Sequence, residues 1–280
     1  MAVAADSDLN GADDTILEAH DSDVVVSTSD VSAYSLPNFD NNLDGESAEA
    51  EVISASDSIS DSNNLQAGSA NAGTFSDLQN NISGKQSVTL VNNFTYDGSV
   101  DSGLSNGIDI SSPITIDGQG KVIIDANNQA RVFNIAEGVA VTLKGITFIN
   151  GNADGDGGSI GSHGVLTLID CSFINNTASG HGGAVFLDHS TQSTIKNCDF
   201  NGNVAGLNGG AIDWRYGSTH GKVINSTFTN NTAKRSGGAI HWSGHDGTIR
   251  DSIFTNNTAT GEKTSTFGGI EGGEIGRAHV

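Results

Sequence analysis

Four stretches of this sequence gather the side chains that carry chemistry. They are His163; Asp188 with His189; Asp213, Trp214, Arg215, Tyr216 and His220; and His241, Trp242, His245 and Asp246. A carboxylate, a guanidinium and imidazoles held side by side can bind a glycan or do acid–base work. Asp213, Arg215, His220, His241 and His245 are therefore the candidate ligand-binding face. Asp213, Arg215 and His241 have the strand parity opposite to Ile212 and Ile240, so they are expected to point outward. Trp214 and Trp242 share the parity of those Ile residues and read as an inward stack. Glycoside hydrolysis calls for placed carboxylate pairs, and lyase chemistry for a basic residue beside several calcium-holding carboxylates. Only Asp213 and Arg215 approach either pattern, so no catalytic residue is assigned.

Asn152-x-Asp154-x-Asp156-Gly157 has the oxygen-ligand spacing that opens a calcium loop. The twelfth position is His163, where a helix-loop-helix site requires Glu. A pair of turn-forming Asp residues is the preferred reading, with weak calcium binding as the other. No further cofactor is expected.

These residues need a scaffold, and the repeats supply one. Phe148, Phe173, Phe200, Phe228 and Phe254 recur every 25 to 28 residues. Gly157-Gly158, Gly182-Gly183, Gly209-Gly210 and Gly237-Gly238 follow the first four at one fixed offset. A fifth pair, Gly268-Gly269, arrives later. Aliphatic residues precede each Phe by five positions (Leu143, Leu168, Ile195, Val223, Ile249), and others follow each pair (Ile160, Val185, Ile212, Ile240, Ile270). This period, with short β-type runs and no long helical pattern, implies one solenoid coil per repeat. Coils stack at about 4.8 Å, the strand spacing, so equivalent residues form columns. The Phe column and Gly183, Gly210 and Gly238 are structural. Asp170, Asn197, Asn225 and Asp251 fall at a turn, where Asx side chains replace backbone partners. Asn176, Asn203, Asn231 and Asn257 form a column suited to an amide ladder.

Cys171 and Cys198 each lie two before a column Phe, so they stack on adjacent coils within disulfide range. The alternative is two free, buried thiols in a small-residue column, since Ser226 and Ser252 share the slot. The second reading is preferred, because in-register neighbours do not automatically reach disulfide geometry. Asn81, Asn93, Asn175, Asn225, Asn230 and Asn256 head N-x-Ser/Thr sequons, open to glycosylation. Turn chemistry explains those in the repeats equally well.

The 280-residue chain carries 37 Gly and a net charge of −21. That acidity argues against nucleic acid and anionic membrane surfaces as partners. No apolar run is long enough to span a bilayer. No Lys or Arg occurs before Lys85. Residues 1–73, rich in Asp, Glu, Ser and Ala, are expected to be a disordered linker or stalk. Residues 74–270 are expected to form the β-solenoid, with Phe75–Ile82 as a short amphipathic helix covering its first coils. Ala2-Val3-Ala4 has the small-x-small form of a signal-peptidase site, or is an ordinary Ala-rich start. Residues 271–280 read as a truncated or foreign tail: Glu274–Val280 fits no coil position and can be encoded by a common sequencing adapter. Further coils, stalk repeats and a wall anchor are then expected beyond it, and the last coil is expected to fray.

The repeats resemble the polymorphic outer-membrane protein repeat of chlamydiae and the adhesin-like surface proteins of methanogenic archaea. Gly182-Gly-Ala-Val185, Gly209-Gly-Ala-Ile212 and Gly237-Gly-Ala-Ile240 match one motif of that family. Phe173, Phe200, Phe228 and Phe254, each with its Asn three residues on, match the other. The first coil departs, with Ser159 for Ala and Gly151 for Asn. The last also departs, reading Phe267-Gly-Gly-Ile270. The resemblance covers about two-thirds of the chain and implies a right-handed parallel β-helix, exposed at a cell surface or secreted, with an adhesive and non-catalytic role. Surface glycans or proteins of a host or neighbouring cell are the expected partners. A β-helix polysaccharide lyase or hydrolase, and a structural spacer, are the alternatives.

Overall fold

A computed structural model describes residues 72–215 and 217–261, together with the backbone of Ile275–Gly276. The expected acidic segment lies outside these residues except for its last two. Tyr216, the Gly268-Gly269-Ile270 motif and the rest of the 271–280 tail also lie outside them.

The expected parallel β-helix is borne out. Every strand pairing is parallel, and each joins one coil to the next. Three sheets line the coil. Sheet A holds the strands on both sides of the first turn, such as Val165–Ile169 and Ser172–Ile174. Sheet C holds two-residue strands such as Thr177–Ala178, and sheet B three-residue strands such as Val185–Leu187. In the early coils the sheet A strands are continuous, Ile114–Asp125 and Ala140–Ile149. In later coils a left-handed residue splits them: Asp170 (φ 53°), Asn197 (54°), Asn225 (46°) and Asp251 (54°). Asx side chains tolerate that region because they bond locally. Here the bonds also run between coils. Asn197 Nδ2 donates to Asp170 Oδ1 and Asn225 Nδ2 to Asn197 Oδ1, both at 2.9 Å.

The columns form the core. The five Phe rings stack at centroid spacings of 4.8 to 4.9 Å. The first four are fully buried, each contributing about 1.5–3 kcal/mol. Trp214 and Trp242 stack inside at 4.3 Å. Gly221 and Gly247 make room for them, since a Cβ on either would stand 2.3 or 2.0 Å from an indole carbon. The paired glycines have different tasks. Gly182 takes φ 64°. A Cβ on Gly183 would stand 2.1 Å from Gly210 O of the next coil. The first glycine serves the turn, and the second lets coils approach.

The Asn column is a buried ladder. Asn176 Nδ2 donates to Asn203 Oδ1 (2.9 Å), Asn203 to Asn231 (2.8 Å) and Asn231 to Asn257 (2.8 Å). Each amide also donates to a Phe carbonyl of the preceding coil: Phe148, Phe173, Phe200 and Phe228. Each Oδ1 also accepts a backbone N–H, so no ladder amide is left wanting.

Helix α1 (Phe75–Ile82) begins at Thr74, whose side chain and that of Asp77 form a capping box. Phe75, Leu78 and Ile82 line its buried face, at helical spacing. Asp101 accepts from Phe75 N, Ser76 N and Asp97 N at 2.9 to 3.0 Å, and ties the helix to the coil beneath. Burial pushes Asp101 up, but these bonds outweigh it and hold the carboxyl below its usual range.

One column position is corrected. Ile275–Gly276 pairs in parallel with Ile240–His241, so Ile275 continues the sheet B column where Ile270 was expected. The spacing rule failed because the last coil carries a longer insertion than its glycine pair suggested.

Candidate functional site

The outward row of sheet B runs Asp109, Asn134, Gly161, Phe186, Asp213 and His241, one residue per coil. Its inward neighbours are core, as in Ile212 and Trp214. Parity places Asp213 on the outside, but exposure does not follow, which corrects the expectation of an exposed carboxylate. Asp213 is 0% exposed. His181 Nδ1 and His241 Nδ1 both stand 3.1 Å from its Oδ2. Arg215 Nε lies 3.5 Å from Oδ1, beyond hydrogen-bond geometry. The two imidazoles are largely covered, with 12% and 14% of their side chains exposed.

Burial pushes Asp213 up, but the hydrogen bonds and charge of His181 and His241 outweigh it. The carboxyl is held below the ordinary range and stays ionised. An ionised carboxylate can only accept, so both rings donate Nδ1–H to it. In the neutral ring this leaves Nε2 as an acceptor.

The neighbouring coil adds an aromatic floor. The Arg215 guanidinium lies 5.4 Å over the Phe186 ring, a cation–π distance. His163 and His181 flank the same ring at 6.2 and 6.5 Å. Arg131 lies over Gly161, and donates to Gly157 O and Asp156 O.

The five candidates divide. Asp213, Arg215 and His241 meet in this cluster. His220 and His245 sit in the loop between sheets B and A, where Thr219 and His245 form a bridge. There His220 Nε2 stands 3.9 Å from Asp246 Oδ2, with both side chains exposed. Asp188 gathers a further pair, His189 at 3.1 Å and His163 at 3.6 Å. Sequence reasoning passed over His181, Phe186 and Arg131. The signal for His181 was its place immediately before a glycine pair, in a column with Asp156, Asn208 and Ser236.

The residues of the calcium candidate each bond to an adjacent coil. Asn152 Nδ2 donates to Asn128 O, Asp154 Oδ1 accepts from Ser179 Oγ, and Asp156 Oδ1 accepts from His181 N. Among the described residues, no group of three or more His, Cys, Asp or Glu could hold a metal. Cys171 and Cys198 are free and buried; Cys171 Sγ lies within reach of Leu143 O and Ile169 O, and Cys198 Sγ donates to Lys196 O. Burial pushes the Cys198 thiol well above its usual value. Sequon residues Asn175, Asn225, Asn230 and Asn256 are exposed at left-handed turn positions.

Residues 159–270 match the model of a family described as the right-handed β-helix region. No curated protein and no solved structure matches the chain.

Proposed function

We propose that this chain is a secreted or cell-surface, non-catalytic β-helix that presents the face around Asp213 to glycans on another surface. It would then act in the manner of the adhesin-like proteins its repeats resemble. The burial of Asp213 carries this reading. Removing an ionised carboxylate from water costs several kcal/mol, and the coil does not ask for one there. The same row accepts Asn134, Gly161 and Phe186 in neighbouring coils. A plain spacer has no use for an imidazole–carboxylate–imidazole group braced by Arg215. An enzymatic reading, as a carbohydrate-active lyase or hydrolase, takes its support from the same group, since a carboxylate that orients imidazoles suits acid–base work. Against it stands the single carboxylate in the cluster, where glycoside hydrolysis uses two.

A glycan-array screen of the full chain, with and without calcium, tests the reading when followed by product analysis of each hit. Binding without product is expected. Product release that vanishes in Asp213→Ala would make the protein an enzyme instead.

A further inference from the structure

We infer that the Asp213 face takes a neutral, hydroxyl-rich glycan and discriminates against acidic ones. This rests on the binding role just proposed for that face, and deepens it to a ligand class. The hydrogen-bond inventory carries the argument. Asp213 Oδ2 is occupied by two imidazoles, but its buried Oδ1 accepts no hydrogen bond from any described residue. An unfilled buried acceptor costs about 1–3 kcal/mol, which a ligand that donates can recover.

The two imidazoles add to the demand. Their Nδ1–H groups are spent on Asp213, so each neutral ring offers Nε2 as an acceptor. The cluster thus holds Asp213 Oδ1 and two ring nitrogens as acceptors, with one guanidinium as donor. A sugar diol fits this set, because each hydroxyl donates once and can accept from Arg215. A carboxylate or sulfate has no hydrogen to give and would face the ionised Asp213. The wider charge points the same way: from residue 74 onward the chain has eighteen acidic and twelve basic residues. Arg215, with a side chain that is one-third exposed (34%), stands 3.5 Å from Oδ1 as the donor beside that acceptor.

The charged and titratable groups around Asp213 are His181, His241 and Arg215, with Asp156 bonded to His181 N behind them.

The test is calorimetric titration of the full chain with neutral and with uronate-bearing or sulfated oligosaccharides. Asp213→Asn and Arg215→Ala are measured alongside, once circular dichroism shows that each keeps its β-structure. The neutral sugar should bind. Each substitution should weaken it roughly tenfold, the loss of one charge-assisted hydrogen bond. Binding confined to acidic sugars would overturn the ligand class, yet keep the face if the substitutions still reduce it. Neutral-sugar binding that ignores both substitutions would overturn the face and the inference together. Silence from every sugar would also overturn the ligand class.

Discussion

Ser159 Oγ donates to Asn176 Oδ1 at 2.7 Å, in the place where a ladder amide would otherwise donate. The first coil has Gly151 where later coils have Asn, and Gly151 N still donates to Asn176 Oδ1 at 2.8 Å. Later coils have Ala184, Ala211 and Ala239 where the first has Ser159. The two departures from the repeat compensate one another. The hydroxyl ends the ladder that the missing amide would have extended.

Ser159→Ala should therefore cost about 1 kcal/mol, one hydrogen bond. Gly151→Asn alone should cost more, since its Cβ would stand 2.6 Å from Ser159 Oγ and 2.5 Å from Gly158 O. The double variant should be more stable than the sum of the two singles implies. Urea unfolding through a double-mutant cycle measures the coupling, and strict additivity would show the residues to be independent.

In the middle of the ladder the stakes are higher. Asn203→Ala takes the Asn203 side-chain partner from Asn176 N, Asn176 Nδ2 and Phe173 O, while Asn231 Oδ1 keeps the backbone N–H of residue 203. Each buried orphan costs about 1–3 kcal/mol, so a loss of about 3 kcal/mol or more is expected. Thermal melting checks it, and a loss near that of Ser159→Ala would contradict the ladder's role.

Acid should weaken the fold through two carboxyls. Asp101 and Asp213 both sit below their unfolded values. A depressed folded pKa adds stability that is fully present above the unfolded value of about 3.9 and is lost as pH falls through the folded one. Stability should thus decline from about pH 5 downward. Asp213→Asn should flatten part of that slope in denaturant titrations at successive pH values, and an unchanged slope would remove Asp213 from the account.

Cys198 should resist thiol reagents in the native state. It is buried, and its thiol is pushed well above the usual value, so little thiolate exists at neutral pH. Labelling should appear only on unfolding. Cys198→Ser should be tolerated, because Ser226 and Ser252 hold the same column and Ser226 Oγ accepts Cys198 N at 3.1 Å.

Protection from hydrogen exchange should fall toward the last described coil. Ile253 is 62% exposed and Phe254 only partly buried, whereas Phe228 is 0% exposed. Amides of Ile249–Ala259 should exchange faster than those of Ile195–Phe228. Equal protection would mean that residues beyond 261 cover that end.

The columns were legible in the sequence because a solenoid writes each contact as a repeat. Phe148 and Phe173 touch because they share a phase. The inward Trp pair was legible by parity, and Gly221 and Gly247 mark the space it fills. Asp213 was legible in direction but not in burial. Parity reports which way Cβ points, whereas His181 and Arg215, which cover it, come from a turn one coil back and from the strand's end. The Ile275 register was hidden because an insertion broke the phase on which every other assignment relied.

One further consequence lies in where the coils differ in length. In the first four repeats the count from Phe to its glycine pair is nine, and from each aliphatic residue to its Phe it is always five. Across those repeats the variation falls in the stretch between sheets B and A: Ile160 to Leu168 is eight, Val185 to Ile195 ten, Ile212 to Val223 eleven and Ile240 to Ile249 nine. A gene that duplicates one coil can therefore lengthen the rod without disturbing its ladders. It can diversify that single rim, home to Asp188, His189, His220 and His245, much as an antibody varies its loops over a constant frame.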